Sequence, residues 1–345
     1  MDRAYAVWSA EKTKELLAID SPTGYTRAAA EWTRDEFAAL GYKAWLTEHG
    51  GVYVDLGGET EEDGVLLTAH IDTLGACVAE IKSDGRLRLA PLNGLRASNC
   101  ETENARLHTR DGRVYTGCYQ LINASTHVNT KFEETVRTFD NMEFLLDEVA
   151  DSAAEVRALG IDVGDIVAFE PRTRIMPSGY IKSRYLDDKL SVATVLGLTK
   201  YLKDKGIKPK HHTYCHMTVF EEVGYGAPGL LPKGVTEALG IDMGCVGKGL
   251  QCSERQVSIC AKDNAGPYHY ELVTKLVNAA KKEGADYALD VYPRYASDLR
   301  SVIMSGNDVR HALIGPGVYA SHGYERSHID GVWNTLKVLK GYLEV

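Results

Sequence analysis

Acidic and imidazole side chains occur at the ends of apolar segments at five widely separated places in the chain. In open α/β sheets, ligands bind outside the carboxyl ends of the strands, so residues that follow different strands can meet at one edge. Taken singly, each residue has an ordinary explanation, such as an aspartate that caps a helix or a glutamate pair in a solvated loop. Their joint occurrence instead predicts one shared site. The residues are His70 and Asp72, Asp187 and Asp188, Glu221 and Glu222, Asp242, and His322.

This set of side chains is typical of a metal centre. Imidazole and carboxylate ligands without thiolates suit zinc, cobalt or manganese, whereas calcium prefers more oxygen ligands. Two histidines and several carboxylates are enough for two ions that share a bridge. If Asp187, Glu222 and Asp242 all bind, two divalent ions keep a net charge of about +1, which favours a bound hydroxide. Glu221 then remains free to transfer protons.

The surrounding sequence predicts the α/β framework that such a site requires. Residues 65–69 are apolar on both faces, as central strands of a parallel sheet are, and they lead directly to His70. A helical pattern at 189–203 follows the two aspartates. Strands that alternate with helices indicate a sheet covered on both faces. The other predicted helices are 26–40, 268–284 and 331–343, and the other predicted strands are 212–220, 239–243 and 310–314.

Between residues 76 and 168 the alternation of strands and helices is interrupted. It consists of short β-rich pieces at 85–89, 112–115 and 165–169, separated by glycine, asparagine and aspartate turns. One helix is predicted near 141–159. This change in the secondary-structure pattern predicts a smaller β-rich module that is inserted into the α/β domain.

The order of the motifs along the chain resembles one known family, the tetrahedral (TET) and glutamyl aminopeptidases, which are dinuclear metallopeptidases. Four motifs match in order across nearly the whole chain. They are Thr68-Ala69-His70-Ile71-Asp72, Tyr185-Leu186-Asp187-Asp188-Lys189, Phe220-Glu221-Glu222-Val223-Gly224 and Ile241-Asp242.

The resemblance implies a fold and an assembly. The expected fold class is α/β, with a zinc-exopeptidase-like mixed sheet covered by helices and an inserted small β-barrel-like dimerisation domain. The catalytic domain would comprise residues 1–73 and 169–345, and the inserted domain residues 74–168. Members of the family assemble into large hollow oligomers, commonly dodecamers built of dimers.

The resemblance also implies a role for each residue of the site. His70 and Asp242 would hold the first of two divalent ions, Glu222 and His322 the second, and Asp187 would bridge them. Zinc or cobalt is expected, with manganese as a further candidate.

Two further carboxylates have expected roles outside the ligand set. Glu221 would be the general base, and Asp72 would orient His70 and raise its basicity. In related enzymes the peptide bond between the paired aspartates is often cis, which predicts a cis bond between Asp187 and Asp188.

The chain departs from the family pattern in two places. Members usually have a histidine followed by serine or threonine, proline, and a glutamate four places on, whereas this chain has two candidate histidines, His322 and His328. His322 is favoured because it stands twelve residues before Asn334, close to the family spacing. In a segment that corresponds to Gly-Thr-Asp-Ala in the family, Asp298 matches but Arg300 is bulkier and charged, so the shape of the substrate pocket stays open.

The predicted reaction is hydrolysis of the N-terminal residue from a peptide. A hydroxide that bridges the two ions attacks, and Glu221 passes the proton to the departing amine. A deacylase or dipeptidase of the same fold is the nearest alternative. A glycosidase that uses Glu221 with another carboxylate, or a noncatalytic binding protein, is a more distant one.

Composition sets outer limits on the function. The 345 residues include 39 basic and 48 acidic side chains, a net charge of −9 that disfavours nucleic acid as a partner. No apolar run approaches the roughly 20 residues of a membrane span. The N-terminus shows no signal-peptide core, and seven cysteines include no Cys-x-x-Cys pair. These features predict a folded cytoplasmic protein with reduced thiols.

Overall fold

The structure is a computed structural model that describes residues 1–345, and these divide into two compact units. The α/β unit comprises Met1–Thr73 and Arg172–Val345. The barrel unit comprises Leu74–Pro171.

The chain forms eighteen strands and seven α-helices. The strands are β1 (Lys43–Leu46), β2 (Val52–Gly57), β3 (Thr60–His70), β4 (Ala76–Ile81), β5 (Leu87–Pro91), β6 (Asn104–His108), β7 (Val114–Leu121), β8 (Met142–Leu146), β9 (Ile166–Phe169), β10 (Arg174–Ile175), β11 (Tyr180–Ser183), β12 (His211–Thr218), β13 (Val235–Ile241), β14 (Gly244–Val246), β15 (Val257–Lys262), β16 (Tyr287–Val291), β17 (Arg310–Tyr319) and β18 (Glu325–His328). The helices are α1 (Ala4–Leu17), α2 (Arg27–Ala39), α3 (Ala153–Ala158), α4 (Leu186–Lys205), α5 (Tyr270–Glu283), α6 (Asp298–Met304) and α7 (Ile329–Tyr342).

A twelve-stranded mixed sheet forms the centre of the α/β unit. Its main path runs β1-β2-β12-β3-β13-β17-β18-β11-β10. Beside this path, β14 and β15 pair with β17, and β16 pairs with β15. The strand β3 is parallel to both of its neighbours, β12 and β13, and β13 is also parallel to β17. The carboxyl ends of these four strands therefore lie at the same edge of the sheet, the edge at which the sequence predicts the site.

Burial on both faces explains why β3 reads as a continuous apolar run. Every residue from Val65 to His70 is buried, and Leu66 and Leu67 are inaccessible to solvent. Full burial of a leucine contributes about 1.5–3 kcal/mol to stability. The helix α4 is buried along most of its length and packs against β3, α1 and α7. The strand that leads to His70 is thereby held by its burial and by its packing against α4.

The barrel unit is a closed six-stranded barrel with the strand order β4-β5-β8-β7-β6-β9. Each neighbouring pair is antiparallel, and β9 closes the barrel against β4. Closure leaves no unpaired strand edge. Aromatic side chains fill the interior, where the rings of Tyr119 and Phe169 meet edge to face with centroids 5.7 Å apart.

One predicted helix of the barrel unit exists, but its extent is wrong. The sequence predicts a helix near 141–159, but Met142–Leu146 forms a strand and the helix covers only Ala153–Ala158. The strand pairs with both β5 and β7 and is needed to close the barrel, so long-range pairing overrides the local helical pattern. Ser152 begins the short helix, because its hydroxyl accepts the Glu155 N–H at 3.3 Å.

The predicted fold class is confirmed. The α/β unit has a mixed sheet with helices, and the closed barrel is inserted between the two parts of its sequence. None of the seven helices is long and apolar enough to cross a membrane.

Candidate metal centre

Parallel strand pairing brings the first site residues together. His70 ends β3 and pairs in register with Thr218, the last residue of β12. Glu221 and Glu222 follow Thr218 in a single short 3-10 turn. Asp242 comes directly after β13, where its N–H donates to the carbonyl of Ile314 at 3.0 Å.

Gly315 permits the close approach of β17 to Asp242. A Cβ atom at Gly315 would lie 1.8 Å from the Asp242 carbonyl oxygen, so no side chain fits there. Substitution of this glycine would displace a site residue.

Three residues at or next to the site have an unusual backbone conformation. Tyr185, Phe220 and His322 all have φ between 64° and 69°, a left-handed conformation that is uncommon for residues other than glycine. Such residues concentrate at functional sites, where the surrounding structure holds them. The peptide bond between Asp187 and Asp188 is cis, as predicted.

Asp187 lies between the two imidazoles of the site. Its Oδ1 atom is 3.2 Å from His70 Nε2, and its Oδ2 atom is 3.6 Å from His322 Nε2. The two glutamates lie beside different imidazoles: Glu221 Oε2 is 3.7 Å from His70 Nε2, and Glu222 Oε2 is 3.5 Å from His322 Nε2. A carboxylate with one oxygen toward each imidazole has the geometry that a bridging ligand needs.

Asp242 and Asp188 complete the cluster on the His70 side. The possible ligand atoms of His70, Asp188 and Asp242 all lie within 4.8 Å of one another, and so do those of His70, Asp187 and Glu222. The structure therefore brings together all five predicted ligands and Glu221. Asp188, which the sequence left open as a helix cap, also points into the cluster.

Asp72 is fully buried behind His70 and connects several parts of the site. Its backbone oxygen is 2.9 Å from His70 Nδ1, which leaves the Nε2 atom of that ring for the cluster. Its carboxylate accepts the N–H groups of Glu221 and Glu222 at 3.2 and 3.4 Å and the Thr23 hydroxyl at 2.7 Å. Asp72 thus orients one imidazole and both glutamates.

His328, the competing histidine of the sequence, lies in a different environment. It is the N-cap residue of α7, where its Nδ1 atom accepts the Asp330 N–H at 2.9 Å. Its Nε2 atom is 2.9 Å from the Ser178 carbonyl oxygen. Both ring nitrogens are engaged in local structure, whereas His322 faces Asp187 and Glu222.

The second departure from the family pattern also has a place in the structure. Asp298 accepts a hydrogen bond from Thr218, the residue paired with His70. Arg300 is exposed and lines a cavity of about 460 Å³ with Tyr268 and Met304.

Burial, and after it the repulsion between carboxylates, sets the electrostatics of most of the cluster. Burial, followed by neighbouring carboxylates, raises the pKa of Glu222 well above its usual range, and burial and the charge of Asp187 raise the pKa of Asp242 to about 7. Although burial opposes the shift, the hydrogen bond and charge of His70 lower the pKa of Asp187. Burial disfavours the charged form of His70, but its carboxylate partners raise the pKa of the ring well above its usual value.

The cluster fits divalent metal ions. Glu222 Oε1 and Asp188 Oδ1 are buried and have no hydrogen-bond partner, an arrangement that costs free energy unless a cation satisfies them. The donors are imidazole nitrogens and carboxylate oxygens, the ligands that zinc and similar ions bind.

Sequence reasoning missed two residues that support the site. Thr23 donates to Asp72 from a segment 49 positions away, and nothing in its local sequence indicates this. Glu325 accepts backbone N–H groups of Asp187 and His322. Its place three residues after His322 was the only available signal.

The chain is similar to known aminopeptidases over nearly its whole length. The model of the family described as M42 glutamyl aminopeptidase matches residues 50–338. A putative aminopeptidase, YhfE, of Bacillus subtilis (strain 168) is 41% identical over 334 residues, which cover 97% of this chain and 96% of that protein.

Solved structures share the fold. An aminopeptidase from the archaeon Desulfurococcus kamchatkensis aligns with a TM-score of 0.87 at 24% identity, over 99% of this chain and 95% of the other. The TET1 peptidase of Pyrococcus horikoshii, which can assemble into a tetrahedron or a large octahedral shell, aligns with a TM-score of 0.84 at 22% identity, over 96% and 98% of the chains.

Proposed function

The chain belongs to the M42 glutamyl aminopeptidase family and is an aminopeptidase, a hydrolase of peptide bonds, and from this premise we propose which residues carry out the reaction. The family resemblance and the enzyme class predicted from the sequence are confirmed. One observation supports the roles given below: two imidazoles and five carboxyl groups, from five separate segments, meet at one edge of the sheet.

The cluster would hold two divalent ions. His70 and Asp242 would bind one, Glu222 and His322 the other, and Asp187 both, because its two oxygens face different imidazoles. The absence of thiolate donors favours zinc or cobalt, with manganese as a further candidate. When bound, such ions polarise the scissile carbonyl and lower the pKa of a water molecule toward about 7.

Glu221 would be the general base. It lies beside His70 in the same turn as Glu222, but in the proposed arrangement it is not needed as a ligand. Its carboxylate would take a proton from the attacking water and deliver it to the leaving amine. Asp72 would act behind the site by holding the His70 ring and the backbone of Glu221.

The site supports a substrate with a free N-terminus. The free α-amine would be held by a metal ion or by an active-site carboxylate, a contact that a blocked N-terminus lacks. The proposed substrates are therefore peptides with an unmodified first residue.

Two adjacent substitutions test the roles. We expect Glu221→Gln to keep its metal content and to lower turnover of aminoacyl anilides by roughly 10²–10⁴-fold, the usual contribution of a general base. Glu222→Gln is the matched comparison, and we expect it to lose metal as well as turnover. Metal content is measured by elemental analysis after gel filtration. Wild-type turnover in Glu221→Gln would refute the general-base role.

The same assay separates the alternative functions. Chelation should abolish activity, and zinc or cobalt should restore it. Hydrolysis of N-acetylated substrates at the rate of the free ones would favour the deacylase reading. Activity that survives chelation would favour the glycosidase reading.

Self-association is also part of the proposal. The P. horikoshii TET1 peptidase assembles into a closed shell, and we infer that this chain forms dimers through its barrel unit and a dodecamer from those dimers. Light scattering coupled to gel filtration gives the subunit number directly. A cytoplasmic location is inferred from the sparse cysteines of the sequence.

A further inference from the structure

Glu325 connects two segments that carry predicted metal ligands. It is the first residue of β18, and only 2% of it is exposed. Its Oε2 atom accepts the Asp187 N–H at 3.1 Å, and its Oε1 atom accepts the His322 N–H at 3.2 Å. The Leu186 N–H also donates to this carboxylate. One side chain thus contacts the start of α4 with one oxygen and the turn after β17 with the other.

These backbone groups need an acceptor from elsewhere in the chain. Leu186 and Asp187 stand at the start of α4, where Asp187 and Asp188 have non-helical backbone angles, so their N–H groups have no partner within the helix. The preceding residue, Tyr185, is left-handed and supplies no side-chain cap. His322 is also left-handed and lies between β17 and β18, outside the strand ladder. A carboxyl group with two oxygens can accept N–H groups from both segments.

A second buried glutamate in the same unit shows that this arrangement is unusual. Glu237 forms ion pairs with Lys275 at 3.0 Å and Arg310 at 3.1 Å, and it accepts the Tyr342 hydroxyl at 2.7 Å. Glu325 forms no ion pair with a lysine or arginine. Its partners are backbone groups of site residues, so its two carboxyl oxygens serve to hold backbone in place.

We infer that Glu325 is a positioning residue of the metal centre. By holding Asp187 with one oxygen and His322 with the other, it sets the distance between the bridging ligand and the last ligand before any ion binds. Preorganised ligands bind metal more tightly than mobile ones, and loss of such supporting contacts typically lowers affinity 10–100-fold. The inference rests on the proposed metal centre.

The test compares Glu325→Gln with Glu237→Gln. A glutamine has only one acceptor oxygen, so it cannot serve both segments, and its amide would face an N–H donor. We expect Glu325→Gln to bind zinc 10–100-fold more weakly in competition with a fluorescent chelator, and we expect Glu237→Gln to bind it as wild type does. Unchanged affinity in Glu325→Gln, or equal losses in both variants, would overturn the inference.

A measurement on the wild-type protein covers the case in which the variant does not fold. After removal of metal by chelation, hydrogen exchange of the Asp187 and His322 amides is followed by mass spectrometry or NMR. We expect both amides to stay protected, because Glu325 and not the metal holds them. Exchange at the rate of exposed loop amides would contradict this. If wild-type protein bound no zinc at all, the proposed metal centre would be refuted, and with it the role of Glu325 in that centre. The exchange result would then still report whether the Asp187 and His322 amides are held without metal.

Discussion

The barrel unit and the site cluster of the α/β unit bury carboxylates in opposite ways. In the barrel unit, the Glu143 side chain is 3% exposed and pairs with Lys82 at 3.1 Å and with Arg86. In the α/β unit, the pKa values of Asp242 and Glu222 are shifted by burial, by other carboxylates and by His70. In the barrel unit, lysine and arginine side chains neutralise the buried Glu143. The site cluster instead concentrates negative charge, and its Asp188 and Glu222 each keep one carboxylate oxygen without a hydrogen-bond partner.

This difference shows which buried carboxylates are compatible with a stable fold and which are kept at a cost in stability. A buried carboxylate with cationic partners can be tolerated within the fold, although its desolvation offsets much of the attraction. A cluster of like charges destabilises the folded state until a cation binds, and active sites commonly carry such a cost. The comparison predicts that substitutions in the site cluster and around Glu143 have effects of opposite sign on stability.

Among the substitutions that test this comparison, the largest effect is expected at Asp242. Asp242→Asn should lower kcat/KM by roughly 10²–10³-fold, the scale of losing one electrostatic stabiliser. In metal-free protein, the same change should increase the free energy of unfolding. The folded pKa of Asp242 is about 7, above the unfolded value, so this group destabilises the fold progressively as the pH rises from about 4 to 7, by at most about 1.4 kcal/mol per pH unit.

Urea unfolding of metal-free wild type and Asp242→Asn at pH 4, 5.5 and 7 measures the gain. The gain should be absent at the lowest pH and greatest at pH 7. With zinc bound, the order of stability should reverse. A metal-free variant that is less stable than wild type at pH 7 would show that the cluster is not repulsive.

In the barrel unit, substitutions around the buried carboxylate should lower the free energy of unfolding. The double variant Lys82→Met/Arg86→Met leaves Glu143 buried without its cations, and we expect a loss of about 2–3 kcal/mol, below the range for fully buried pairs because both cations are partly exposed. Glu143→Gln should cost only about 1 kcal/mol. Urea unfolding gives both values, and zinc affinity is the control that should not change. Equal losses in the two variants would contradict the expected asymmetry.

The smallest effect concerns a third kind of buried ionisable group. His216 is buried against Tyr53, with ring centroids 4.2 Å apart, and burial, helped by His49, lowers its pKa to about 3. The unfolded chain takes up a proton below about pH 6.5 that the folded chain does not, so stability falls from pH 6.5 toward pH 3. His216→Phe should make this fall shallower, by up to about 1.4 kcal/mol per pH unit. Parallel slopes between pH 6.5 and 5 would contradict the neutral state of His216.

The strands that position the site could be predicted from the sequence, because each strand has a recognisable pattern of apolar residues of its own. Residues 65–69 are apolar throughout because β3 is buried on both faces, and parallel pairing then places the residues after β3, β12 and β13 at one edge. The helical pattern at 141–159 misled because β8 is stabilised by β5 and β7, strands that are distant in sequence.

The details of the site depend on contacts that no local pattern contains. His322 and His328 stand six positions apart, and only the left-handed turn at one and the helix cap at the other distinguish their environments. Thr23 contacts Asp72 through tertiary packing alone. The dimerisation role of the barrel unit and the individual residue roles stay predictions.

The wide separation of the site residues along the chain has a consequence for synthesis. His70 and His322 stand 252 positions apart in the sequence. On the proposed ligand set, a nascent chain emerging from the ribosome lacks a complete centre until the segment that carries His322 has been made. A product terminated before that segment would therefore lack the proposed hydrolytic activity.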